Sequence, residues 1–148
     1  MARARESGMS VSVDPSSAAL LSPAFLDLAC GADLLLPNAT EAAALTGEDD
    51  PERAALLLAE RVPEVVVKRG ELGALWTDGR SVVRAEAAPV AAAVDSTGAG
   101  DAFAAGVLAA RLGGAEPEAA LAAGCRLAAV AVLSLGGRPP ARRRAGAA

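Results

Sequence analysis

The sequence contains no histidine and no tyrosine, and only one tryptophan and two phenylalanines among 148 residues. Without histidine, the Ser-His-Asp and Cys-His nucleophilic schemes lack their general base, and most zinc ligand sets cannot form. The two cysteines, Cys30 and Cys125, lie far apart with no metal-ligand spacing around them. They read as two reduced, buried thiols of a cytosolic protein. The net charge is −4 and no stretch forms a basic stripe, so nucleic acid is not an expected partner. Met1 to Ser10 is polar and charged, without the apolar core of a signal peptide. The longest apolar runs are broken by Arg, Gly or Pro well short of a membrane span. The expectation is a soluble, cytoplasmic chain with no membrane partner.

What is abundant is small apolar side chains. Hydrophobic residues make up 53% of the chain while aromatics supply only 2%, so alanine carries much of the apolar count. Small side chains let backbones approach closely, which predicts thin, tightly packed layers of helix on sheet. The length fits one domain, which can bury roughly two thirds of its unfolded surface.

Along the chain, Ala2 to Gly8 reads as the end of a helix with a glycine stop. Val11 to Val13 is a short strand ended by Asp14-Pro15. Ser22-Pro23 opens a helix to about Ala29, with Ser as cap and Pro in the first turn. Ala32 to Leu36 reads as a buried strand stopped by Pro37. Asn38 or Thr40 can cap a helix from Glu41 to Leu45 that Gly47 closes. Asp50-Pro51 opens a helix to about Arg61, and Val65 to Lys68 is a strongly β-branched strand. Gly73 to Thr77 and Ser81 to Arg84 form a predicted hairpin around Asp78-Gly79. Val90 to Val94 is a further predicted strand. Helices follow from Gly100 to Leu112 and from Glu118 to about Leu135, stopped by Gly136-Gly137 and Pro139-Pro140. Residues 138–148 read as a disordered basic tail. Helices alternating with β-branched strands predict an α/β fold with a largely parallel sheet, whose ligands sit at the carboxyl ends of strands.

The segment Asp95-Ser96-Thr97-Gly98-Ala99-Gly100-Asp101 carries the chemistry. Gly98, Ala99 and Gly100 lead into a helix with minimal bulk, so backbone N–H groups can face a ligand closely. The helix start adds its positive end and unpaired amides, which together suit a phosphate. Two roles are open to Asp101 in the first turn: complementing the helix dipole, or acting as a base that accepts a proton from an attacking hydroxyl. No lysine follows the glycines, as a P-loop requires, and Phe103 stands where a dinucleotide loop needs its third glycine. This is an anion loop of another type.

Asp95 to Phe103 resembles the C-terminal signature of ribokinase-like (PfkB-type) carbohydrate kinases. Pro37 to Glu41 with Leu45-Thr46-Gly47 resembles that family's Asn-x-x-Glu motif and the helix behind it. Val65 to Gly73 resembles the strand and turn flanking the nucleotide, and Asp14-Pro15 the end of an earlier strand. The matches keep the family's order from Val11 to Gly137.

The resemblance implies a three-layer ribokinase-like sandwich, of which residues 1–137 form the C-terminal portion. It implies an ATP- and Mg²⁺-dependent transfer of phosphate to a hydroxyl of a sugar or nucleoside. Asp101 would be the base, with Gly98 shaping an anion hole made by the amides of Ala99, Gly100 and Asp101. Asn38 and Glu41 would act near Mg²⁺ and the phosphates, Glu41 through water. Lys68 and Gly70 would lie near the ATP phosphates and ribose, and Cys125 would give only a packing contact near the adenine. Asp95 and Thr97 match a monovalent-cation position, often K⁺, in some members; a turn-forming role for Asp95 stands equally open.

Family members are about twice this length, and the segment that normally supplies the lid and sugar contacts has no counterpart here. The helix end at Ala2 to Gly8 agrees with a truncated kinase. Expected partners are therefore a small-molecule substrate and either a second copy of the chain or a missing N-terminal half. The alternative is a non-catalytic nucleotide-binding or interaction remnant.

Overall fold

The computed structural model describes residues 1–136; the expected disordered tail over 138–148 lies outside the described residues. Five strands form one sheet in the order β1 (Ser12–Val13), β2 (Leu34–Leu35), β3 (Glu64–Lys68), β4 (Ala74–Thr77), β5 (Val82–Ala85). The first three are parallel, with Ser12 opposite Leu34 and Leu35 opposite Val65. The last two run antiparallel, so the sheet is mixed. The antiparallel part is the predicted hairpin. Asp78 makes its turn, its Oδ1 accepting from the N–H groups of Arg80 and Ser81 at 2.9 Å each. Six α-helices lie among the described residues: α1 (Ala2–Glu6), α2 (Pro23–Ala29), α3 (Ala39–Thr46), α4 (Pro51–Ala59), α5 (Ala99–Leu112) and α6 (Pro117–Ala131).

Alternation along the strands divides the core in two. Leu35, Val65, Val67 and Leu75 face one side, where they pack with Ala42, Ala54 and Leu58 of α3 and α4. Leu34, Leu36, Val66 and Trp76 face the other side and meet Phe103 and Val107 of α5 and Leu121 of α6. The result is helix, sheet, helix: three layers held by period-2 burial on the strands.

The layer of α5 and α6 is close because two glycines meet in it. A Cβ on Gly106 would fall 2.8 Å from the Ala123 carbonyl oxygen and 2.8 Å from the Gly124 Cα. A Cβ on Gly124 would fall 2.8 Å from Val107 Cγ2 and 2.9 Å from the Phe103 ring.

Several local signals act at the places the sequence marks. Of the two caps open for α3, Asn38 is the one used, and the structure adds Glu41 as its reciprocal partner in a capping box; α4 opens at Asp50-Pro51, where Asp50 accepts from the Arg53 N–H at 2.8 Å. Ser22 occupies the cap position of α2, but its hydroxyl makes no capping bond. One expectation fails: residues 90–94 form no strand. Ala91-Ala92-Ala93 offers no β-branched surface to pair. The segment runs instead along the end of α6, where the Val94 N–H donates to the Val132 carbonyl at 2.8 Å. The anion loop therefore follows an irregular segment rather than a strand. The last helix also stops at Ala131, short of the expected Leu135.

Candidate nucleotide and phosphate site

The three parallel strands end side by side, and their ends hold Asp14, Pro37-Asn38 and Lys68. The Lys68 N–H donates to the Pro37 carbonyl at 2.9 Å, and Asn38 and Lys68 form an isolated parallel bridge. Two sequence-predicted positions, 30 residues apart by number (68 less 38), are thus backbone neighbours. The Lys68 ammonium donates to Asp14 Oδ2 at 2.6 Å, both side chains being largely shielded. The same ammonium lies 3.6 Å from where a Cβ on Gly100 would sit. The end of β3 and the anion loop are therefore in contact.

The loop has the geometry expected of an anion binder. Gly98 adopts φ 76° at the N-cap of α5, a left-handed conformation that favours glycine. The Ala99 N–H closes a turn onto the Ser96 carbonyl at 3.1 Å. The N–H groups of Gly100 and Asp101 have no acceptor among the described residues, and no side chain caps the helix. Of the three amides expected to form an anion hole, two are free and one is held within the turn. Asp101 is exposed in the first turn beside them.

Asp95 fixes the loop from behind. Its Oδ1 accepts from the Thr97 N–H and its Oδ2 from the Gly136 N–H, each at 2.9 Å. The Gly136 and Thr97 amides hold its carboxyl below the usual carboxylate range. Both oxygens thus already accept backbone N–H groups, and Asp95 makes the Asx turn that the sequence allowed.

Asn38 and Glu41 are tied together more tightly than their expected metal role requires. The Glu41 N–H donates to Asn38 Oδ1 and the Asn38 N–H to Glu41 Oε2, both at 2.8 Å. Glu41 is 2% exposed, and the reciprocal cap accounts for a buried carboxylate. Among the described residues no three His, Cys, Asp or Glu side chains cluster as a metal cage.

A cleft of about 640 Å³ opens beside the loop, within the size range of small-molecule sites. Lys68 and Gly70 line one side, Ala99 and Gly100 come from the loop, and Phe103 and Cys125 come from α5 and α6. The irregular segment 87–93 closes the cleft, a contribution that reading it as a strand hid. Cys125 is 6% exposed and burial pushes its thiol up, so at neutral pH it is a neutral packing group. The cleft thus gathers Lys68, Gly70, Ala99, Gly100 and Cys125; Asn38, Glu41, Asp95, Thr97, Gly98 and Asp101 lie outside its lining.

An anion loop of this kind, at the carboxyl edge of a three-layer α/β sandwich and beside an apolar cleft, has the free amides and the position that suit a phosphate. Comparison with known proteins gives it a family. The model of the pfkB family carbohydrate kinases matches residues 1–144, and the chain belongs to that family. The 2-dehydro-3-deoxygluconokinase of Bacillus subtilis (strain 168) is 34% identical over 140 residues, covering 89% of this chain and 43% of that protein. The adenosine kinase of Sinorhizobium meliloti superposes with a TM-score of 0.88 at 30% identity, covering 93% of this chain and 43% of its own. A candidate ribokinase II from E. coli, solved with ATP and Mg²⁺, superposes with a TM-score of 0.80 at 31% identity, covering 90% of this chain and 45% of its own. The chain spans less than half the length of these relatives. Among the described residues no helix is long and apolar enough to cross a membrane.

Proposed function

We propose that the chain provides the nucleotide cleft, anion loop and base of an enzyme that transfers the γ-phosphate of ATP to a hydroxyl of a sugar or nucleoside. One observation carries the reading: Lys68 and Gly100 line one cleft with the ammonium close to the loop, and the N–H groups of Gly100 and Asp101 at that helix start are free, with the Asp101 carboxylate in the same turn. Phosphoryl transfer requires positioning, charge neutralisation and a proton acceptor, with little covalent work by the protein. These groups provide all three without histidine or a reactive thiol.

In this reading the adenine lies against Phe103 and Cys125, with Gly70 near the ribose. The phosphates run toward Lys68 and the loop. Asp101 takes the proton of the acceptor hydroxyl as the γ-phosphate moves, and the two free amides hold the charge on the transferring group. Mg²⁺ bound to ATP would neutralise phosphate charge. The sparse carboxylates fit a magnesium ion held mainly by phosphate and water, with Glu41 and Asn38 next to that shell. For Asp95 and Thr97 the proposed role is loop positioning, which the two backbone N–H groups accepted by the Asp95 carboxylate support.

A second reading has its own support. β1 is only two residues long and has a neighbour on one side alone among the described residues. A short free edge of this kind suits completion by another segment. The chain would then be a nucleotide-binding portion that works when a lid- and sugar-binding portion, or a second copy, covers that edge.

Calorimetry with Mg-ATP tests both readings against an ordinary structural domain. Each predicts saturable binding that excess adenosine weakens. No heat and no competition would leave neither standing.

A further inference from the structure

Lys68 is the only lysine in the chain, and its ammonium is placed by a residue far away in sequence. Asp14, at the end of β1, holds it at 2.6 Å, and the two side chains are only 24% and 13% exposed. Asp14 is itself fixed, because its Oδ1 accepts from the Ser16 N–H at 3.3 Å. Lys68 lines the cleft and Asp14 does not, so the ammonium sits between its carboxylate anchor and Gly100 of the loop. An ammonium has three donors, and Asp14 takes one. The others remain for a ligand oxygen, so a phosphate can be bound without breaking the pair.

We infer that Asp14 is a positioning residue: it holds the Lys68 ammonium at the mouth of the anion loop, so that the phosphates of the nucleotide meet a cation already in place. The inference rests on the nucleotide reading of the cleft. Its physical basis is that a lysine side chain has several freely rotating bonds and loses that freedom on binding unless something has already fixed it. A largely buried cation with no counter-charge is also costly. Without Asp14, Lys68 leaves the loop for water. Asp14 itself opposes the phosphate charge, but it stands behind the ammonium, so the pair presents its positive end to the loop.

The test compares Mg-ATP and adenosine binding by the full chain, wild type against Asp14→Ala, Asp14→Asn, Lys68→Met and the double variant Asp14→Ala/Lys68→Met. Lysine labelled with ¹³C at Cε gives one side-chain resonance, which reports the placement directly. Circular dichroism checks that each variant folds. In the wild type the Lys68 resonance should be shifted from its free-lysine position and move again on adding Mg-ATP; in Asp14→Ala it should sit at the free position. Asp14→Ala and Lys68→Met should each weaken Mg-ATP binding about tenfold and leave adenosine unchanged. Their losses should not add in the double variant, since both remove one placed charge. Asp14→Asn, which keeps an acceptor, should fall between.

Additive losses, equal loss for adenosine, or Mg-ATP binding by Asp14→Ala as tight as in the wild type would overturn the inference while leaving the nucleotide site intact. Failure of the wild type to bind Mg-ATP would overturn the nucleotide reading and the inference with it. If a variant fails to fold, the wild-type Lys68 resonance still decides: a free-lysine position there contradicts the placement.

Discussion

Gly106 and Gly124 face one another where α5 crosses α6, so close that a methyl group on Gly106 would meet backbone on the opposite helix at 2.8 Å. This contact places the helix that begins with the anion loop. Backbone cannot step aside as a side chain can, so Gly106→Ala should cost about 1–3 kcal/mol through overpacking, even after the gain in helix propensity. Gly124→Ala meets mostly side-chain atoms, of Phe103 and Val107, and should cost less. Thermal unfolding of the two variants checks the order. Equal or raised stability for Gly106→Ala would contradict the packing.

Glu41 has a capping role and a proposed role toward magnesium, and a single substitution separates them. Its carboxylate completes the cap of α3 by accepting from the Asn38 N–H, and in the proposed function it lies near the magnesium shell. Glu41→Gln keeps an acceptor for that N–H but removes the charge. The melting temperature should change little, while the stimulation of ATP binding by Mg²⁺ should fall. A magnesium dependence unchanged from the wild type would leave Glu41 with the cap alone.

The Asp95 carboxyl is held below its ordinary value of 3.8 by the Gly136 and Thr97 amides. Its hold on the loop is therefore present above pH 3.8 and is lost as the pH falls through the lower value in the folded chain. The amide resonances of Gly136 and Thr97 should titrate together in that acid range, and Asp95→Asn should abolish the titration. Independent titration of the two amides would show that Asp95 does not tie the loop to the segment after α6.

Cys125 lines the cleft and is 6% exposed, whereas Cys30 is half-buried and its thiol donates to the Leu26 carbonyl away from the site. Mg-ATP should slow alkylation of Cys125 by several-fold and leave Cys30 unaffected. Mass spectrometry of the two peptides reads this directly. Equal rates at Cys125 with and without Mg-ATP would place the nucleotide elsewhere.

Much of the fold was legible because its signals are local. Asp78-Gly79 makes the hairpin turn and Asn38 with Glu41 makes a capping box within four residues. The anion loop showed itself by small residues before a helix start. The features that escaped are those that join distant parts of the chain. Nothing in Asp14-Pro15 announces that its carboxylate meets Lys68, 54 residues away. The Ala99 N–H is spent within the turn because the chain enters it from an irregular segment, which the valines at 90 and 94 disguised as a strand. Gly106 and Gly124 did carry a readable signal: glycine inside a helix costs stability and usually has a packing reason.

In the proposed function Asp101 is the base beside a phosphate cradle. Transfer of phosphate from Mg-ATP to a panel of sugars and nucleosides, measured in the native polypeptide with and without Asp101→Asn, tests it most directly. Asp101→Asn should keep Mg-ATP binding and lower transfer to the accepted substrate by about 10²–10⁴-fold, the range for a lost general base. Transfer at the wild-type rate by Asp101→Asn would contradict it.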